Sequence, residues 1–275
     1  MGQAKIKQRE AFASQLIEEW EADDCVNFAV ALSRLTGWLL HVDWWSTSIK
    51  HDEEISVDQL KPLRMYVADN HDRIFDVRGT RRIVEFTEQI IKKRVSLIAS
   101  GNGAIYTRFY DEAKLSSLPL RSPPNEISIA RAAKAIQKNQ YFLRSIPSRT
   151  TPHLPAHQAA RFSFGECVAF AEAMQELTGL RPAALLASRF LPHYEGTQRS
   201  PIGYFHSVVL HPDGMAEDSW GKATLKDIAD RFGASEFTIS VEEHHAVVEK
   251  IRRSNSERYN AVVNDAMALI RQHRL

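Results

Sequence analysis

Cysteine is nearly missing from this chain: two occur in 275 residues. Two thiols cannot build a disulfide framework or a four-cysteine zinc site, and both are expected free. A run of about eighteen apolar residues is also missing, so no helix is expected to span a bilayer. The charged start, Met-Gly-Gln-Ala-Lys-Ile-Lys-Gln-Arg-Glu, lacks the apolar stretch of a secretory signal, and Ile6 stands where a myristoylation signal wants Ser or Thr. These readings predict a soluble, cytoplasmic protein that does not bind membranes. Charge of one sign is lacking as well, with 35 Lys and Arg against 34 Asp and Glu, so nothing in the net charge draws the chain to nucleic acid. The glycines of Ser100-Gly-Asn-Gly103 have no Lys-Ser or Lys-Thr after them, and no dinucleotide fingerprint occurs. No cofactor is implied. His244 and His245 are neighbours in sequence and do not share a helix face, so no metal site is read from them.

What the chain does contain is a copy of itself. Residues 25–37, Cys-Val-Asn-Phe-Ala-Val-Ala-Leu-Ser-Arg-Leu-Thr-Gly, match residues 167–179, Cys-Val-Ala-Phe-Ala-Glu-Ala-Met-Gln-Glu-Leu-Thr-Gly, at 8 of 13 positions without a gap. The same offset of 142 residues carries Asp76 onto Asp218, Gly79 onto Gly221 and Arg64 onto His206. A period this long does not describe a solenoid; it describes two related domains. The boundaries read as 1–98 for the first lobe, 99–152 for a linker holding one packed helix, and 153–275 for the second lobe with C-terminal helices.

Helical spacing of Phe12, Leu16, Ile17 and Trp20 predicts a helix over 8–22. Further helices are expected over 24–35 and 165–177, each closed by a glycine, Gly37 or Gly179, in a left-handed cap. Cys25 and Cys167 fall in their first turns. After a variable connection come two hairpins: 63–68 with 73–77, and 202–210 with 215–218. A helix is expected over 126–142, and the tail carries helical patterns at 241–253 and 256–273.

A cysteine in the first turn of a helix meets unpaired backbone N–H groups and the positive end of the helix dipole, which favour thiolate. A histidine beside it can hold the pair as thiolate and imidazolium, and a carboxylate on the far ring nitrogen fixes tautomer and orientation. Cys167, His206 and Asp218 supply those groups. The turn chemistry supports the geometry: a three-residue loop, Pro212-Asp213-Gly214, has the residues of a type I turn with a left-handed third position, and it places Asp218 opposite Val208 on the same face as His206. His211 reads as a solvated turn residue. In the first copy the equivalent set is Cys25, Arg64 and Asp76, and an arginine cannot accept a proton. That site reads as degenerate.

Cys-Val-x-Phe-Ala opening a helix that ends in Leu-Thr-Gly, then Phe-His-Ser-Val-Val-Leu-His-Pro-Asp-Gly and Asp-Ser-Trp-Gly, resembles the papain-like and transglutaminase-like superfamily of cysteine enzymes. The resemblance implies an α+β fold of two lobes, each a nucleophile helix packed on a small antiparallel sheet. It implies Cys167 as nucleophile, His206 as general base and Asp218 as orienting acid in a protease, amidase or deamidase acting through a thioester on a protein, peptide or small amide. The Cys167 backbone N–H supplies part of the oxyanion hole, with Gln158 and Ser163 as candidates for the second donor. The alternative is a non-catalytic binding or regulatory protein built from two pseudo-enzyme lobes, in which Arg64 recognises a carboxylate or phosphate.

Overall fold

In the computed structural model of the chain, the structure describes residues 11–48, 55–98, 101–149, 154–192, 194 and 202–274. The expected positions 8–10 of the first helix and residues 99–100 and 150–153 lie outside that set. The fold is α+β and holds two five-stranded antiparallel sheets. The chain divides into two compact units: residues up to 68 with 73–146, and 69–72 with the residues from 147 on.

The first unit runs α1 (Ser14–Glu21), α2 (Val26–Thr36), β1 (Leu39–Ser46), β2 (Lys61–Ala68), β3 (Arg73–Asp76), β4 (Gly79–Arg82), α3 (Ile83–Phe86), a π-helical turn over Thr87–Ile91, α4 (Lys92–Ile98), β5 (Ala104–Tyr110), α5 (Glu126–Lys138) and α6 (Gln140–Arg144). Its sheet order is β4-β3-β2-β1-β5. One face of α1 and α2 is held by a cluster of aromatic rings, in which Phe12 meets Trp20, Phe28 and Phe142 edge-on and Trp20 meets Phe28 at a tilt. A second cluster, around Leu63, Tyr66, Phe86 and Ile91, packs α3 and the π-helical turn on the sheet.

The second unit runs α7 (Ala156–Arg161), α8 (Cys167–Thr178), β6 (Arg181–Phe190), β7 (Gly203–Leu210), β8 (Ala216–Asp218), β9 (Gly221–Ala223), α9 (Leu225–Arg231), β10 (Ala234–Ser240) and α10 (Val241–His273). Its sheet order, β9-β8-β7-β6-β10, is that of the first unit taken element for element. Leu185, Val208 and Ala216 of the sheet meet Ile228 of α9 and Phe232 just after it. The other face carries α8 and α10. Asn255 leaves the helical region, and its side chain caps Arg258 N–H at 2.9 Å, so the tail is the two helices expected, joined at a kink.

Two corrections to the sequence reading concern strands. The connections after α2 and α8 are the inner strands β1 and β6. Strand β1 is buried at all eight positions and lacks the alternation that marks a half-exposed strand, while β6 is rich in Ala and Leu, which are helix formers. The segment 99–152 is not simply a linker: β5 pairs with β1 along its whole length, and α5 packs on α2.

Both sheets break register at the same place. Asp43 pairs with Arg64 but Trp44 pairs with Pro62, so Leu63 bulges; Leu185 pairs with His206 but Leu186 pairs with Tyr204, so Phe205 bulges. A one-residue bulge reverses which face the preceding residues occupy. Tyr204 therefore leaves the His206 face and joins Ser207.

The helix stops match the expectation, with Gly37 at φ +71° and Gly179 at φ +73°. A Cβ at Gly179 would meet nothing within 4 Å, so the cost of a side chain there is backbone strain alone. Gly179→Ala should lower unfolding free energy by about 1–2 kcal/mol without changing the m-value in a urea titration.

Candidate functional site

The hairpin β7-β8 has the predicted register. Val209 pairs with Glu217 and Leu210 with Ala216, which puts Asp218 opposite Val208, and Gly214 takes φ +82°. The side chains follow. His206 Nε2 lies 2.9 Å from Asp218 Oδ2, with both residues buried. The same oxygen accepts from Arg231 of α9 at 2.7 Å, and Asp218 Oδ1 accepts from the Trp220 N–H at 2.9 Å. Burial pushes the Asp218 carboxyl up, but the Arg231 guanidinium and His206 outweigh it and hold the group well below the usual carboxylate range.

Cys167 opens α8 behind Gly165, whose φ of +76° turns the chain into the helix. Its sulfur meets three groups of β7. The Tyr204 hydroxyl lies 3.3 Å away, and the positive His206 imidazole and the Ser207 backbone N–H are near enough to lower the thiol's pKa. Strand β8 pairs only Val209 and Leu210, leaving this stretch of β7 uncovered on that side. The buried His206 Nδ1, the ring nitrogen not held by Asp218, makes no hydrogen bond among the described residues. Burial pushes the Cys167 thiol up, and the positive imidazole more than offsets it, so the thiol lies below its ordinary value. Burial in turn pushes His206 down, while the Cys167 thiolate and Asp218 hold it up at about 9. A thiol below its ordinary value, an imidazole above its own and a carboxylate on the far ring nitrogen are the groups a thiolate–imidazolium pair would need.

The equivalent positions of the first unit come together differently. Cys25 is not in the first turn of its helix but caps it, in the left-handed region at φ +64°, and is fully buried. Burial pushes its thiol well above the ordinary range despite Arg64 nearby. Arg64 donates to Glu21 at 2.7 Å and to Asp76 at 2.6 Å, so its guanidinium joins two carboxylates and has no acceptor function. The histidine of β1, His41, is buried against the Tyr66 ring and is pushed down to about 4 by burial. Both cysteines are free thiols.

The oxyanion candidates divide. Ser163 Oγ accepts from the Trp220 indole N–H at 2.8 Å, which makes it a structural group. Gln158 Oε1 is buried and has no hydrogen-bond partner. His211 is not a solvated turn residue, because its Nε2 lies 2.8 Å from Glu217 and its side chain is mostly covered. His244, read as uninformative, is fully buried between Ser207 and Glu172. Sequence reasoning also missed Arg231 and Tyr204. An Arg closing a helix after the hairpin carries no distinctive signal, and the bulge that re-aims Tyr204 is invisible in residue types. No group of three or more metal-ligating side chains converges among the described residues, and no helix is long and apolar enough to cross a membrane among them.

Comparison of the chain with protein families, curated proteins and solved structures gives no match.

Removing one partner of a buried charge pair leaves the other without compensation. Arg231→Met should therefore lower stability by about 3–5 kcal/mol in a urea titration, far more than a conservative change at an exposed arginine such as Arg253→Met.

Proposed function

We propose that this protein is a cysteine-dependent acyl-transfer enzyme of papain-like or transglutaminase-like type, working from the second lobe. The observation that carries the reading is a buried histidine, His206, whose Nε2 is held by a buried aspartate and whose charge lowers the pKa of Cys167 at the start of α8. The fit of the hairpin register to the Pro-Asp-Gly turn supports it from an independent direction.

In that reaction the Cys167 thiolate attacks the carbonyl carbon of an amide or thioester, and the carbonyl π electrons move to oxygen. The backbone N–H of Cys167, unpaired at the start of α8, faces the developing oxyanion. Collapse of the adduct breaks the bond to the leaving amine, which takes the proton from His206, and leaves an acyl group on sulfur as a thioester. Water or an amine, deprotonated by the now neutral His206, attacks the thioester and releases the thiolate. Asp218 keeps the proton on Nε2 so that Nδ1 faces the sulfur throughout, and Arg231 keeps Asp218 ionised.

The first lobe serves as a degenerate copy. Its sheet order and the bulge at Leu63 support descent from a common duplicated ancestor. A second reading, recognition of a carboxylate or phosphate by the first lobe, is favoured by a cleft of about 340 Å³ lined by Arg64, Arg78, Arg81, Lys93 and Arg94, with Glu21 as its acidic residue. Binding of inorganic phosphate that is lost in Lys93→Ala, followed by calorimetry, tests that reading.

Two outcomes are expected of the catalytic reading. Cys167→Ala should abolish turnover of an amide or thioester substrate, a loss of several orders of magnitude, while Cys25→Ala leaves it nearly intact; equal losses would assign the chemistry to the wrong lobe. Turnover should also fall at alkaline pH. His206 carries the proton for the leaving amine below about 9 and loses it above, so the alkaline limb of a rate profile should lie near that value and shift when Asp218 is replaced by Asn.

A further inference from the structure

Behind the nucleophile runs a second set of polar groups that the proposed reaction does not use. Tyr204 Oη lies 3.3 Å from Cys167 Sγ and 3.0 Å from Ser207 Oγ. Ser207 Oγ lies 3.0 Å from His244 Nδ1, and His244 Nε2 lies 3.0 Å from Glu172 Oε1. The far end reaches Arg252, 3.6 Å from Glu172 Oε2. Ser207 and His244 are at most 1 % exposed, so the middle of the chain has no water to substitute for a lost partner.

Ser207, His244 and Glu172 have the spacing of a serine-type triad, but this serine is no nucleophile. Its hydroxyl is sealed from solvent and already engaged by Tyr204. What the set can do is orient protons. With one proton on His244, at Nε2 facing the Glu172 carboxylate, Nδ1 accepts from Ser207, Ser207 accepts from Tyr204, and the lone pairs of the phenol face the sulfur. With both ring nitrogens protonated, Nε2–H still donates to Glu172 and the other bonds reverse: Nδ1–H to Ser207, Ser207 O–H to Tyr204, and Tyr204 O–H to sulfur. The first direction suits a thiol, which can donate S–H to Tyr204. The second suits a thiolate, which can only accept.

We propose that Tyr204 is a further catalytic residue, donating its hydroxyl proton in a hydrogen bond to the Cys167 thiolate, and that Ser207, His244 and Glu172 are positioning residues that set the direction of that bond. The inference rests on the reading of Cys167 as nucleophile. The step balances with His244 doubly protonated throughout: the Cys167 proton passes to His206 Nδ1, and the Tyr204 hydroxyl, already turned from Ser207 towards sulfur, keeps its own proton. The groups that face His244 and its partner are Glu172, Arg252, His245 and Tyr259. The bulge at Phe205 is what makes the arrangement available, because it puts Tyr204 on the face of Ser207.

The test needs no substrate. The rate of alkylation of Cys167 by iodoacetamide is followed against pH on the full chain, with Cys25→Ala in every variant and folding checked by thermal melting. Tyr204→Phe keeps the ring and removes the donor; the alkylation midpoint should rise by about one pH unit, with roughly tenfold slower reaction below it. Ser207→Ala and His244→Phe should each raise the midpoint by a smaller amount, and neither should move it further in the Tyr204→Phe background. Ser207→Ala keeps the link testable if His244→Phe does not fold. An unchanged midpoint in Tyr204→Phe overturns the proposal, as does a Ser207 or His244 effect that persists in full without the Tyr204 hydroxyl. His206→Asn is the separate arm: a midpoint that it leaves in place removes the ion pair and with it the catalytic reading, whatever Tyr204 does.

Discussion

The second unit depends on one buried carboxylate. Asp218 receives a guanidinium, an imidazole and a backbone N–H on its two oxygens, and each of those groups belongs to a different part of the structure. Arg231 fixes α9, His206 fixes the middle of β7, and the Trp220 N–H fixes the turn between β8 and β9. An isolated carboxylate could not remain ionised at that depth; three donors make it tolerable, and in exchange it imposes their positions. The same position in the first unit, Asp76, receives Arg64 and the Arg78 N–H. An aspartate that closes a hairpin and collects donors is therefore common to both units, and what differs is whether the principal donor can also give up its proton.

Much of this was legible in the residues because the relevant signals are local. A glycine after Leu-Thr ends a helix by its own φ, and Pro-Asp-Gly sets a three-residue loop, which in turn sets which residue faces His206. Those rules act over a few positions and need no knowledge of the rest of the chain. The α+β class and the hairpins followed from them. The inner strands did not, because a strand buried on both faces has no periodicity to display, and β6 is written in helix-forming residues that pairing on both sides overrides. The segment after residue 99 was misread for a related reason: β5 is an edge strand with a mixed pattern of exposure, and only its pairing with β1 identifies it.

The site was legible to the same depth. Three residues could be placed by offset and turn geometry, while the groups that surround them could not. Arg231 and His244 reach the centre from elements whose position is set by tertiary packing, and Tyr204 reaches it through a bulge. Bulges conserve composition and change only which face a side chain occupies, so residue patterns do not reveal them. The left-handed cap at Cys25 is a similar case: sequence identity with Cys167 extends through the helix, yet the two thiols start it from different backbone conformations.

That difference bears on how the two halves could be interconverted. Exchange of Arg64 for histidine would supply an imidazole but would strip Glu21 of one of its arginines. It would also leave Cys25 in a left-handed cap, one step outside the helix whose first turn Cys167 occupies. Nucleophile, base and entry into the helix would have to change together, so the first half is separated from the second by several concerted substitutions, each of which alone would weaken a working core. The ion pairs that join Glu21, Arg64 and Asp76 hold the first half in its present arrangement.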